Sequence, residues 1–139
     1  MKLLLIIALG LIIFTLVRSA FSQSDIPRIT PVEAAANVRA DTAVIIDVRE
    51  PAEWEAGVAA PAYLLPLSDL RASRKKWSHV LETNKDKQII LYCRSGNRSG
   101  QAAALLAKEG FNVANSGGFR DWQAAELPTR SPSEPAGNE

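Results

Sequence analysis

The stretch Gln88-Ile89-Ile90-Leu91-Tyr92 runs without a polar break into Cys93-Arg94-Ser95-Gly96-Asn97-Arg98-Ser99-Gly100, and from there directly into the Ala-rich segment 101–109. A continuous apolar run of this length reads as a strand covered on both faces. The segment 101–109 has high helix propensity throughout, giving a helix over 99–109, and Gly110 supplies its C-terminal stop. Strand, tight loop and helix in that order put Cys93 at the carboxyl end of a strand, where open α/β sheets place their ligands. Gly96 lets the loop curl, so that its N–H groups converge on the sulfur. The positive end of the following helix points at the same spot, and Arg94 and Arg98 add charge. These effects favour a thiolate below the free thiol value of about 8.5. The same geometry holds a small anion, or a second sulfur bonded to the first.

The rest of the chain repeats this alternation. Thr30-Pro31-Val32-Glu33 is a capping box with Pro at the first helical position, and it predicts a helix over 31–38. Ala43-Val44-Ile45-Ile46 is a second continuous apolar strand, ending at Asp47-Val48-Arg49-Glu50-Pro51. Pro51 opens a short helix through Trp54 and Glu55 that stops near Gly57, and Ala62–Leu65 is a short strand. Ser68 or Asp69 caps a longer helix to about Glu82, with Leu70, Trp77, Val80 and Leu81 on one stripe. A last strand over 111–115 leads through a Gly117-Gly118 turn into a short helix carrying Phe119, Trp122 and Ala125. Strands alternating with helices give an α/β fold with a parallel sheet and helices on both faces. Trp54, Trp77 and Trp122 are read as core, His79 as surface, and the cluster Arg71, Arg74, Lys75 and Lys76 as a solvated helix face.

The N-terminus carries an address. Residues 3–17 read LLLIIALGLIIFTLV between Lys2 and Arg18. Fifteen apolar-to-neutral residues fall short of the roughly 20 that span a bilayer comfortably, and they fit the apolar region of a secretory signal peptide. Ala20-Phe21-Ser22 sets small residues at the cut, which places cleavage after Ser22; the alternative is an uncleaved anchor. Either way the folded part is exported: periplasmic or secreted after cleavage, or membrane-anchored outside the cytoplasm. The organisation is therefore a signal peptide or anchor over 1–22, one domain over 23–130, and a Pro- and Ser-containing disordered tail over 131–139. The cleaved chain has 117 residues with 14 basic and 15 acidic side chains, and near-neutrality gives no reason to expect nucleic acid as partner. Membrane contact is expected only if the N-terminal segment is retained. A single Cys excludes an intrachain disulfide and a multi-cysteine metal site, and it disfavours a thiol–disulfide oxidoreductase, which needs a second Cys to resolve a mixed disulfide.

Three stretches together resemble the single-domain rhodanese family of sulfurtransferases. Ile45-Ile46-Asp47-Val48-Arg49-Glu50-Pro51-Ala52-Glu53-Trp54 is similar to its N-terminal signature, Cys93–Ser99 to its active-site loop, and Gly117-Gly118-Phe119-Arg120-Asp121-Trp122 with Leu127-Pro128 to its C-terminal signature. The resemblance covers about residues 29–130 and implies a parallel sheet of about five strands flanked by helices. It implies that Cys93 takes a sulfane sulfur from a donor such as thiosulfate, becomes a persulfide, and passes the sulfur to cyanide or a thiol. No metal or organic cofactor is implied. Arg94, Ser95, Gly96, Asn97, Arg98 and Ser99 would bind the substrate anion and the persulfide, with Arg94 and Arg98 on the sulfonate. Asp47 and Arg49 would organise the site by ion pairing or hydrogen bonding, Arg49 having a possible direct role. The alternative within the family is a persulfide carrier or protein-binding module without free-thiosulfate activity, whose protein partner is unknown. The chain departs from the family where a Gly-His-Ile-Pro-Gly-Ala type run is replaced by Gly57-Val58-Ala59-Ala60-Pro61-Ala62, which lacks the His and the second Gly. The related Cys-loop phosphatases are disfavoured, because they need Arg where this chain has Ser99, and His where it has Tyr92.

Overall fold

The computed structural model describes residues 22–137. The apolar N-terminal run and its two readings, signal peptide or anchor, lie outside the described residues apart from Ser22. Among the described residues no helix is long and apolar enough to cross a membrane.

After a short 3-10 turn at Gln23–Asp25, the chain forms α1 (Pro31–Arg39), β1 (Ala43–Asp47), α2 (Pro51–Trp54), β2 (Val58–Ala59), β3 (Tyr63–Leu64), α3 (Leu67–Leu70), α4 (Lys75–Thr83), β4 (Gln88–Cys93), α5 (Asn97–Lys108), β5 (Val113–Gly118), α6 (Phe119–Ala124) and β6 (Thr129–Arg130). The capping box forms as its sequence dictates. Thr30 Oγ1 accepts the Glu33 N–H at 3.2 Å, and the Glu33 carboxylate accepts the Thr30 N–H at 2.8 Å. The main sheet is parallel with order β3-β1-β4-β5. It has four strands rather than five. The fifth position is reduced to an isolated parallel bridge, Arg28 with Asn115, where Ile29 N–H donates to Asn115 O and Asn115 N–H donates to Pro27 O. Pro27 and Pro31 bracket this segment, and a residue without an N–H cannot extend a ladder.

The apolar runs are buried on both faces, and the pleat sorts them. Val44, Ile46, Ile89, Leu91 and Cys93 point toward α3, α4 and α5, where they pack with Trp77, Leu81, Ala102 and Leu106. Ile45, Ile90, Tyr92 and Ala114 point to the other face and pack with Ala34, Ala35, Phe119 and Trp122. Each fully buried Ile or Leu contributes about 1.5–3 kcal/mol relative to exposure. All three tryptophans are buried, as expected, and His79 is exposed.

Two elements differ from the sequence reading. The single helix expected from Ser68 or Asp69 to Glu82 is two helices, broken at Arg74, which adopts φ +57°. Asp69 makes the break: its carboxylate accepts the Ser73 hydroxyl at 3.1 Å and the Lys76 N–H at 3.0 Å, capping the second helix instead of continuing the first. Trp77 Nε1 donates to Pro66 O at 3.0 Å and folds the pair together. The last strand begins at Val113 and runs on through Gly118, which pairs with Cys93, so the expected turn at Gly117-Gly118 is strand. The reason is space. A Cβ on Gly118 would lie 2.3 Å from the Arg94 carbonyl oxygen, so only Gly lets the strand stay against the Cys93 loop.

Outside the main sheet, β2 and β6 form an antiparallel pair. The run that departs from the family thus becomes a strand edge, and Ala59 N–H donates to the Tyr92 hydroxyl at 3.0 Å. Arg130 fastens this corner, donating to the carbonyls of Ala60 (2.9 Å), Ala62 (2.7 Å) and Glu134 (2.7 Å). In the segment expected as a disordered tail, the described residues after Arg130, 131–137, form no helix or strand, and Gly137 N–H donates to Ala60 O.

Candidate active site

Cys93 ends β4 with its side chain wholly buried under the loop that follows. Gly96 takes φ +93° and serves as N-cap of α5, which aims the start of that helix at the sulfur. The Gly96 N–H donates to Cys93 Sγ at 3.1 Å, and the Ser99 hydroxyl lies 3.4 Å from it. Burial pushes the thiol pKa up. The Ser99 hydroxyl, together with the N–H groups of Ser99, Ser95 and Gly96, more than offsets that and leaves it below the ordinary value. Hydrogen bonds to the sulfur, rather than the loop arginines, are the main source of thiolate stabilisation here.

Behind the loop stands Asn115, which sequence reasoning did not single out. Its side-chain oxygen accepts the Ser99 hydroxyl at 2.8 Å and the Gly117 N–H at 3.0 Å, and its amide donates to Gly96 O at 2.8 Å. The one available signal was a polar side chain inside the last apolar strand. Ser99 has a single hydroxyl proton, so a hydrogen bond to sulfur competes with the one to Asn115. The pair can therefore shift a proton donor toward sulfur when charge develops there.

The six loop residues divide into three groups. Arg94 and Ser95 are exposed and line a pocket of about 440 Å³ together with Arg49, Phe119, Arg120, Asp121 and Gln123. Gly96 and Ser99 are buried and back the sulfur. Asn97 and Arg98 turn away from the mouth, against expectation. The Asn97 side chain accepts from Gln101 at 3.0 Å, and Gln23 donates to its carbonyl at 3.1 Å. Arg98 is held by Glu53 in a two-pronged ion pair at 2.6 and 2.7 Å, which links the loop to α2. The Arg98 hydrogen bond is the largest influence on Glu53 and outweighs partial burial, lowering its carboxyl from 4.5 to about 2.

Asp47 and Arg49, expected to organise the site, form a buried ion pair. Arg49 Nε and Nη2 grip the Asp47 carboxylate at 2.7–3.1 Å, and the remaining guanidinium protons reach Gly57 O at 2.9 Å and Glu53 O at 3.3 Å. Burial pushes the Arg49 pKa down, but the hydrogen bond and charge of Asp47 more than restore it, so Arg49 stays a cation. Tyr92 donates to the same carboxylate at 2.6 Å, and burial, then the Asp47 charge, hold its phenol far above the ordinary value. The Arg49 guanidinium covers the Phe119 ring at 4.4 Å and so shapes one wall of the pocket. Elsewhere the basic cluster on α3 and α4 is partly spent on packing: Arg71 donates to Gln101, and Arg74 pairs with Glu109 at 2.5 Å.

A buried cysteine whose sulfur accepts converging loop N–H groups, at the carboxyl end of a parallel sheet, has the chemistry to hold a stabilised sulfur anion. Residues 30–125 match the rhodanese-like domain family, and the chain belongs to it. It is 36% identical over 122 residues to the uncharacterized protein YqhL of Bacillus subtilis, covering 85% of this chain and 89% of that one. It is 38% identical over 93 residues to a sulfurtransferase of Allochromatium vinosum, covering 64% and 79% respectively. Its fold is similar to that of a rhodanese-related protein from Thermoplasma volcanium, with TM-score 0.62 and 28% identity over 75% of this chain and 97% of that one.

Two outcomes follow from this geometry. Ser99→Ala moves the midpoint of the pH–rate profile for Cys93 alkylation by iodoacetamide upward, because the thiolate loses its only hydroxyl donor while burial is unchanged. The Glu53–Arg98 pair contributes stability that is present above about pH 4.5 and is lost as pH falls toward about 2. Denaturant midpoints measured between pH 6 and pH 2.5 therefore fall less steeply in Glu53→Gln than in the wild type.

Proposed function

We propose that the chain is an exported sulfurtransferase that moves a sulfane sulfur from an anionic donor, thiosulfate being the type case, to cyanide or a thiol through a persulfide on Cys93. The observation that carries this reading is the set of N–H groups and the Ser99 hydroxyl around Cys93 Sγ, which lowers the thiol pKa despite complete burial.

In the first step the Cys93 thiolate attacks the outer sulfur of thiosulfate. A new S–S bond forms, the bond between the sulfane sulfur and the sulfonate sulfur breaks, and its electron pair leaves with sulfite. In the second step cyanide, or a thiolate, attacks the terminal sulfur of the persulfide, and the electron pair of the S–S bond returns to Cys93. Charge balances in both steps, no proton need be supplied to the leaving group, and the chemistry requires no cofactor. The loop N–H groups favour the anionic sulfur at each stage. Asp47, Arg49 and Tyr92 act as positioning residues, holding the strand end and the Phe119 wall; Asn115 positions the loop.

The 3-10 turn Gln23–Asp25 follows the proposed cut, and Gln23 ties it to α5 through Asn97. Removal of residues 1–22 would leave that anchor intact. In an oxidising compartment the buried sulfur and the absence of a second Cys protect against disulfide formation.

Thiocyanate formation from thiosulfate and cyanide tests the reaction. The wild type turns over and gains about 32 Da, one sulfur atom, on incubation with thiosulfate alone; Cys93→Ser does neither. A folded wild type that forms neither product would overturn the reading in favour of a partner-binding module. A persulfide formed without thiocyanate release would favour a carrier. Mass spectrometry of the chain recovered from the exported fraction is expected to give an N-terminus at Gln23, whereas an intact N-terminus in the membrane fraction would identify the anchored form.

A further inference from the structure

A pocket opens beside the loop that follows Cys93, whose own side chain is not among its lining residues. Its walls are Arg49, Arg94, Ser95, Phe119, Arg120, Asp121 and Gln123, around about 440 Å³. The charges on these walls are not equivalent. Arg49 is neutralised by Asp47, and its protons are committed to that carboxylate and to two carbonyls. Asp121 turns toward the backbone, where its carboxylate accepts the Gly118 N–H at 3.0 Å. Arg98, the loop cation that sequence suggested for the anion, is paired with Glu53 and does not line the pocket. Arg94 and Arg120 remain. Both are exposed, and neither makes an ion pair among the described residues.

Arg120 comes to this place through the sheet. Gly118 is the register partner of Cys93, and Arg120 follows two residues later in the first turn of α6. Its Cα therefore lies within about 8 Å of the Gly118 Cα. The Arg94 carbonyl is packed against Gly118, so the two arginines follow adjacent strand ends and line the same pocket.

We propose that Arg120 is a specificity-determining residue: with Arg94 it forms an anion clamp outside the loop, which selects sulfur donors or acceptors bearing a negatively charged group next to the reacting sulfur. In this arrangement Arg98 serves to hold the loop, and recognition of the substrate's charge passes to α6. The biological sense of this selection rests on the sulfur-transfer reading, but the clamp itself is testable without turnover.

The test compares iodoacetate with iodoacetamide as probes of Cys93 in the full chain. The two alkylate the same thiolate and differ in a carboxylate against a neutral amide. Arg120→Ala is expected to slow iodoacetate about two- to fivefold, the size expected for one exposed charge pair, and to leave iodoacetamide within error of wild type. Arg120→Lys restores most of the iodoacetate rate. Raising the salt concentration erodes the wild-type preference for iodoacetate and changes Arg120→Ala little. In the thiosulfate assay the same alanine variant raises KM more than it lowers kcat. An iodoacetate-to-iodoacetamide ratio unchanged by Arg120→Ala would overturn the clamp and leave the transfer reaction standing. Equal slowing of both probes would also overturn it, since that marks a structural effect on the thiol. A selective loss with iodoacetate in a chain that forms no thiocyanate would uphold the clamp while removing the transfer reading.

Discussion

A buried sulfur that must carry negative charge is the constraint around which this end of the molecule is built. Removing a thiolate from water is costly, and full burial of Cys93 pushes its pKa upward. The opposing hydrogen bonds come from three backbone N–H groups and one hydroxyl, all within seven residues of chain. Such convergence needs a backbone that reverses sharply just after the strand, and Gly96 at φ +93° provides it. It also needs the loop to be held from behind, because an N–H group aimed at sulfur is of little use if the loop can drift. Asn115 and Gly118 do this from the neighbouring strand. Asn115 ties down Gly96 O and Ser99, and Gly118, lacking a Cβ, lets Arg94 O come close.

The N-terminal signature serves the same constraint from the opposite side. Asp47 leaves β1 next to Tyr92 of β4 and takes hydrogen bonds from both Tyr92 and Arg49. Two residues of like burial but opposite charge are affordable there only because nearly every donor and lone pair is used. Arg49 then spans to Gly57 O and Glu53 O, so α2 is fixed in place, and α2 in turn presents Glu53 to Arg98. A chain of contacts thus runs from a strand-end carboxylate through two arginines to the first turn of α5.

Much of this was legible in the sequence, for identifiable reasons. The α/β class followed from continuous apolar runs at 43–46 and 88–92, because burial on both faces leaves no alternation to misread. Cys93 was legible because its neighbours are polar and glycine-rich where an inert cysteine would have apolar ones. The break at Arg74 was hidden, since the stripe of Leu70, Trp77, Val80 and Leu81 keeps helical spacing across it and only the Asp69 side chain ends the first helix. The extension of β5 through Gly117-Gly118 was hidden for a different reason. Paired glycines ordinarily mark a turn, and what reverses that here is a contact with Arg94 far away in sequence. The partner of Arg98 was equally out of reach, because a cation beside a cysteine looks the same in sequence whether it faces substrate or a carboxylate 45 positions earlier.

That last point bears on how such a site can work at all. In the transfer proposed above a donor anion is attracted, sulfite leaves as a dianion, and a persulfide anion remains behind. Of the guanidinium groups at this end of the fold, which include that of Arg28 beside Gly96 and Gly117, four belong to the pocket walls and the Cys93 loop, at Arg49, Arg94, Arg98 and Arg120. Were all four free, the field would hold the product as firmly as the substrate. Pairing Arg49 with Asp47 and Arg98 with Glu53 converts two of them into struts, rigid and nearly charge-neutral. The two left unpaired stand at the exposed rim, where water and salt weaken their hold on a departing anion. Close to the sulfur, stabilisation comes instead from hydrogen bonds, which act on the charge at Cys93 over short range and do not extend their pull to the ion that leaves. The division of labour between short-range donors at the floor and screened cations at the rim lets one thiolate be kept charged without the pocket becoming a trap.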